Sequence, residues 1–142
     1  MTDWLPDLLP ELRAHSLPGL PLLPTETAPA YAGLSIANLP DSICAWLGAA
    51  PLGNAPLQPR LLNAWNQTFD RVILLVVDGL GLDWFQRFLE ARGDLLGSPQ
   101  AWQHLLADAS LAPLTSVSPS TTSAALTTFW TGQPPAGHGV LG

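Results

Sequence analysis

The chain has no lysine among its 142 residues, and its five arginines, Arg13, Arg60, Arg71, Arg87 and Arg92, are scattered along it. With a net charge of −6 it offers no clustered basic surface to neutralise phosphates, which excludes a nucleic-acid-binding footprint. Without lysine the pattern GxxxxGK[ST] cannot be written, so a P-loop is excluded as well. A single cysteine, Cys44, rules out an internal disulfide framework and is expected to be a small buried hydrophobe in a reducing compartment. The longest strongly apolar run, VILLVV at 72–77, is too short to cross a bilayer. The amino-terminal MTDWLPDLLPELRAHSLPG is acidic and interrupted by proline, unlike the basic-then-apolar order of a signal peptide. These absences predict a soluble, cytoplasmic protein with neither a nucleic-acid nor a membrane partner.

Proline is missing from residues 61–98, while ten of the fifteen prolines fall in 1–60 and five in 99–142. Residues 1–69 therefore read as a Pro-rich arm carrying short helices. DSICAWLG at 41–48 is the clearest of these, with Asp41 as a candidate N-cap and Gly48 as a stop. LLNAWNQ at 61–67 adds a further helical turn or two. The arm is too apolar for a solvated linker and is expected to pack against the rest. The chain contains no internal repeat and no low-complexity tract.

From residue 70 onward the patterns sharpen. VILLVV followed by Asp78-Gly79 is an unbroken aliphatic run of strand length, suited to a parallel strand buried on both faces. LDWFQRFLEARG then sets Trp84, Phe85, Phe88 and Leu89 on one helical face, with Asp83 as a possible cap. SPQAWQHLLADA supplies Ser98 as N-cap and Pro99 at the first helical position, with Trp102, Leu105 and Leu106 inward. LAPLTSV at 111–117 is a short second strand. Residues 121–131 form a last helix, with Ala125, Leu126, Phe129 and Trp130 on one face and Gly132 after it. The order β–α–α–β–α predicts an open α/β sheet with helices on its faces. Sites in such sheets lie beyond the carboxyl ends of the strands, where Asp78 and the Ser/Thr-rich segment both fall.

Asp78 leaves an apolar run, and an ionised carboxylate there is costly unless something positive or hydrogen-bonding meets it. One reading makes it a turn cap through backbone amides; the other makes it a functional ligand. The neighbouring DGLG lacks the spacing of a dinucleotide-binding turn, because the third glycine position is Trp84. The stretch SVSPSTTSAALTTFWTG at 116–132 holds four Ser and five Thr. One of these explains an N-cap, but not a run of four at 120–123. Hydroxyls on a first helical turn share the anion-favouring end of the helix with its free amides. The chain has no Lys, and His104, the His upstream of the segment, reads as a helix-flank residue, so a metal held by Asp78 is the available means of activating one of them. His138, between glycines, reads as a turn or packing residue; His15 and His104 look incidental.

Three segments, VILLVVDGLG, TSVSPSTTSAALTTFWTG and PPAGHGVLG, together resemble the opening of the type I phosphodiesterase/nucleotide pyrophosphatase family of the alkaline phosphatase superfamily. The resemblance rests on Asp78-Gly79, on Pro119-Ser120-Thr121-Thr122, on Thr131-Gly132 and on Pro135-Ala136-Gly137-His138-Gly139, and it covers residues 71–142. It implies an alkaline-phosphatase-like open sheet with helices on both faces, of which 70–142 is the N-terminal part. It implies metal-dependent hydrolysis of phosphate diesters or nucleotide pyrophosphates, with two zinc ions and a small-molecule phosphate ester or nucleotide as substrate. Thr122 matches the family nucleophile, phosphorylated and then released by water, and shares a metal ion with the first ligand, Asp78. His138 matches a recurrent residue that is not carried over as a metal ligand. Two departures stand out. Ser118 replaces the usual aromatic before the proline, and Ser123-Ala124-Ala125-Leu126 replaces the x-Pro-Asn-His that follows the nucleophile in the nucleotide pyrophosphatases proper. The family's remaining ligands, two Asp and three His, come later than Gly142, so the chain is expected to be an incomplete fragment, inactive alone.

Two readings from other classes stand beside this one. A receiver-like domain with Asp78 as phosphoacceptor needs an early acidic pair and a late lysine, and there is no lysine. A non-catalytic remnant or partner-binding domain would keep the motif shape without turnover.

Overall fold

The computed structural model describes residues 1–19, 26–65, 67–90 and 107–142. It is a mixed helix and strand structure with a two-stranded parallel sheet. The main core lies at the amino-terminal end. Helix α1 (Leu5–Ala14) buries Leu5, Leu8 and Leu12, the three-and-four spacing of one helical face. Pro6 sits in its first turn, where a missing N–H costs nothing. Leu8 and Leu12 pack with Ala30, Leu34, Leu57 and Leu61, and Ala112 and Leu114 close over them from the carboxy-terminal half. The apolar arm therefore packs as its composition predicts.

Asn38 organises the segment after α1. Its Oδ1 accepts from the amides of Gly33 (3.2 Å) and Ser35 (2.9 Å), while its Nδ2 donates to the carbonyls of Tyr31 and Ala55, both at 2.8 Å. A fully buried amide side chain is tolerated because every polar atom is met. A 3-10 turn (Ile36–Asn38), capped by Ser35, runs into α2 (Leu39–Trp46). The cap expected at Asp41 is thus three residues too late: Asn38 is the N-cap of α2, and Asp41 lies buried in its first turn. Cys44 is half-buried rather than enclosed, because it lies on a flank of this short helix. A single turn, α3 (Pro59–Leu62), follows and buries Leu61.

Strand β1 (Thr2–Asp3) pairs in parallel with β2 (Ser110–Leu111), Thr2 opposite Ser110 and Asp3 opposite Leu111. A second parallel bridge joins Ser35 to Thr115, through Ile36 N to Thr115 O and Thr115 N to Leu34 O, both 2.9 Å. The strand expected over 111–117 is thus two short contacts divided around Pro113, which has no N–H to give a ladder.

The run at 72–77 departs most from expectation. It is not in a strand, and it is exposed beyond the half-buried Val72, with Ile73 93 % and Leu75 82 % accessible. A strand exists only where a partner supplies a ladder. Among the described residues both ladder contacts to 110–115 are made by Thr2–Asp3 and Ser35 instead. The start of the run edges a cleft of about 490 Å³ with Trp46, Trp65 and Phe69, which stack edge to face at centroid distances of 5.2 and 6.2 Å.

Helix α4 (Leu82–Glu90) forms where predicted, but Trp84 is 66 % exposed, with Arg87 over its ring, instead of turned inward. The helix expected at 98–109 falls mostly outside the described residues. The last two helices are α5 (Thr122–Thr131) and α6 (Pro135–His138). The face of α5 that is buried carries Ala124 and Thr128, one position round from the expected aromatic face, and Trp130 is 81 % exposed. Ala124 is the residue of this helix that packs with Ala37 and Val117 in the second buried cluster.

Candidate active site at the start of helix α5

Helix α5 is fixed at both ends by short polar contacts. At its amino end Thr121 is the N-cap, with extended backbone and Oγ1 accepting from Ala124 N at 3.3 Å. The first rung of the helix is Ala125 N to Thr121 O at 2.9 Å. The amides of Thr122 and Ser123 precede that rung and lie at the positive end of the helix dipole. At its carboxyl end Gly132 takes the left-handed conformation, φ +67°, and donates to Thr128 O. A Cβ there would stand 3.0 Å from Leu52 Cδ1, so the glycine also permits a close approach.

That close approach belongs to a clamp from the 50s loop. Asp41 Oδ1 accepts from Leu52 N (2.8 Å) and Gly53 N (3.3 Å), and Oδ2 from Asn54 N (3.3 Å). Asn54 Nδ2 in turn donates 2.8 Å to Gly132 O. The buried carboxylate is balanced by backbone donors, and the loop it shapes holds the end of α5.

The five threonines of the stretch 116–132 sort by where their hydroxyls go. Thr127, Thr128 and Thr131 give theirs to the carbonyls one turn back, at 2.7, 3.0 and 2.7 Å. Thr121 gives its proton to Leu141 O at 2.9 Å. Thr122 donates to a carboxylate, Asp78 Oδ2, at 2.9 Å. Asp78 Oδ1 accepts from Gly79 N, also at 2.9 Å. The structure thus brings together the two residues that the sequence singles out, and both are exposed to solvent. Asp78 makes the turn-cap contact and the hydroxyl contact at once, one with each oxygen.

Two oxygen donors sharing one short edge suit a divalent cation of hard or borderline character. They are a partial set. Among the described residues no group of three or more His, Cys, Asp or Glu stands close enough to hold a metal ion. His138 is turned to other partners, Thr128 Oγ1 at 3.2 Å and Val140 N at 3.0 Å. His15 meets Pro29 O at 3.3 Å, far along the chain from the Asp78 turn, and His104 lies outside the described residues. Among the described residues no helix is long and apolar enough to cross a membrane.

Sequence reasoning missed the Asp41–Asn54 clamp and the Thr128–His138 contact. Asn54 follows a Pro-Leu-Gly turn with no pattern linking it to a glycine 78 positions later. Thr128 was one hydroxyl among nine. Neither carries a sequence signal, because both act through tertiary contacts.

Comparison with known proteins agrees with the placement of these motifs. No curated protein sequence matches the chain, and neither does any solved structure. The family model for type I phosphodiesterase / nucleotide pyrophosphatase matches residues 72–142, which span the Asp78 turn, helix α5 and the His138 loop. The chain belongs to the type I phosphodiesterase / nucleotide pyrophosphatase family, a family of hydrolases.

Proposed function

We propose that this chain carries the nucleophile of a metal-dependent hydrolase of phosphate diesters or nucleotide pyrophosphates, within an alkaline-phosphatase-like α/β domain. The observation that carries this reading is the 2.9 Å hydrogen bond from Thr122 Oγ1 to Asp78 Oδ2 at the amino end of α5. Thr122 Oγ1 attacks the phosphorus and gives up its proton to solvent as the leaving alkoxide or phosphate departs, and water then displaces the reprotonated Thr122, releasing the substituted phosphoryl group as a monoester. Asp78 orients the hydroxyl and takes its hydrogen bond in the resting state. The first-turn amides of Thr122 and Ser123 favour the anionic phosphoryl group beside the nucleophile. Asp78 and Thr122 would hold a divalent ion, two zinc ions by family resemblance, which supplies charge neutralisation and a lowered hydroxyl pKa when bound. Zinc takes about four donors per ion, so these two residues need further ligands, and turnover by the chain alone is expected to be low.

The test is acid-quenched incubation with zinc and a 4-nitrophenyl phosphodiester, followed by mapping of the phosphoryl group. The expected result is a zinc-dependent mark on Thr122 that is absent from Thr122→Val and reduced in Asp78→Asn. A mark that persists in Thr122→Val, or one that maps to another residue, overturns the assignment. A second reading, a non-catalytic domain that binds a partner, draws on the exposed run at 72–77. Zinc-independent behaviour with no phosphoryl transfer favours it.

A further inference from the structure

We propose that His138 is a positioning residue that, as the neutral Nε2–H tautomer, holds the 139–141 loop against Thr121, the N-cap of α5 beside Thr122. The inference rests on the function proposed above for its meaning, but not for its geometry.

Thr121 and Thr122 are adjacent, both exposed, and both at the start of α5. What separates them is that Thr121 Oγ1 is engaged at the cap, accepting from Ala124 N and donating to Leu141 O. That carbonyl belongs to the residue after Val140, and Val140 N donates to His138 Nδ1 at 3.0 Å. An atom that accepts from an amide carries no proton, so in the neutral ring the proton sits on Nε2. Nε2 faces Thr128 Oγ1 at 3.2 Å. Thr128 is fully buried and gives its own proton to Ala124 O at 3.0 Å, which leaves its oxygen free to accept from Nε2–H. Each donor and acceptor in the chain of contacts is therefore assigned by its neighbour, with no alternative left for the neutral ring.

The contacts run from the interior face of α5, through the imidazole, into the loop at 139–141, and back to the N-cap of the same helix. The ring thus spans seven positions of α5, from Thr128 to Thr121. Thr121 has its hydroxyl consumed at the cap, and Thr122 has the only one of the pair directed at Asp78. Without the ring, Leu141 O loses its fixed place, and the Thr121 hydroxyl loses the acceptor that directs its proton.

The test needs no turnover. A 15N-labelled chain shows the tautomer directly through the imidazole nitrogen shifts, with Nδ1 expected unprotonated and Nε2 protonated. Two variants divide the ring's roles. His138→Asn keeps an acceptor near the Nδ1 position, and His138→Gln keeps a donor near the Nε2 position. Val140 amide exchange should quicken roughly 3- to 10-fold in His138→Gln, the loss of one hydrogen bond, and stay near wild type in His138→Asn. Thr121 side-chain couplings should show rotamer averaging in His138→Gln and a single rotamer in His138→Asn. An Nδ1–H tautomer in the wild type overturns the proposal, as does a Thr121 rotamer that stays fixed in His138→Gln. Should the variants not fold, the wild-type tautomer decides it alone. A phosphoryl mark on a residue other than Thr122 overturns the function above, while these spectra still judge the geometry.

Discussion

Thr122 Oγ1 and Asp78 Oδ2 meet at 2.9 Å across 44 positions of sequence, whereas Thr121 turns the other way to Leu141 O. Replacing Thr122 by valine removes the hydroxyl and keeps the branched shape at an exposed site. Phosphodiester hydrolysis by a metal-loaded, active form should fall on the order of 10³-fold or more, as for loss of a nucleophile. Stability should change by no more than about 0.5 kcal/mol, the usual range for a surface position. Urea melts beside rates check both halves, and near-wild-type rates in Thr122→Val return the residue to an ordinary helix start.

Thr121 makes the opposite prediction. It caps α5 through Ala124 N and carries no proposed chemistry. Thr121→Ala should cost about 1 kcal/mol in urea unfolding, and Thr121→Ser should recover most of it. An alanine variant as stable as wild type would show that α5 is held by its packing and its carboxyl-end clamp alone.

Asp41 supplies that clamp. Its carboxylate accepts three backbone amides and is buried, so Asp41→Ala leaves the amides of Leu52, Gly53 and Asn54 without their acceptor. The expected loss is about 1–3 kcal/mol. Because Asn54 holds Gly132 O, amide exchange should quicken at the last turn of α5 as well as in the loop. Exchange confined to residues 52–54 would show that the loop and helix are uncoupled.

How much of this was legible in the sequence depends on the range of the interactions involved. The start and stop of α5 were readable because Thr121 and Gly132 act within a turn of themselves. The pairing of Asp78 with Thr122 was reachable because each sits at the end of a recognisable segment, and the family resemblance joined them. The fate of VILLVV was not legible. Hydrophobicity says that such a run favours burial, but pairing depends on which other backbone lies beside it, and here Thr2–Asp3 and Ser35 take the 110–115 segment. The inward face of α5 was misjudged for a similar reason. Size favoured Phe129 and Trp130, yet the residue that packs with Ala37 and Val117 is Ala124, a tertiary contact that periodicity alone does not choose. Asp41 looked like a cap because Pro40 precedes it, but Ser35 and Asn38 had already begun the helical path.

Glu11 on α1 is tied to the segment at α3, and its pH response is a separate check on how the arm is held. Gln58 Nε2 donates to Oε1 at 3.1 Å, and Arg60 Nη2 pairs with Oε2. These hydrogen bonds, that from Gln58 foremost and then that from Arg60, hold the carboxyl below the usual carboxylate range. A carboxyl whose pKa is lowered by folding adds stability above its unfolded value, about 4.3, and loses it as pH falls through the folded value. The side chains of Arg60 and Glu11 remain 37 % and 46 % exposed, so solvent screens the pair and its contribution should lie between about 0.2 and 1 kcal/mol. Glu11→Gln should therefore be slightly less stable than wild type at pH 7, with the gap closing as pH falls below the unfolded value and through the folded one, and in high salt. Urea midpoints for the two proteins across that range measure it, and a gap that persists unchanged at low pH would show that packing of the side chain, not its charge, joins α1 to α3.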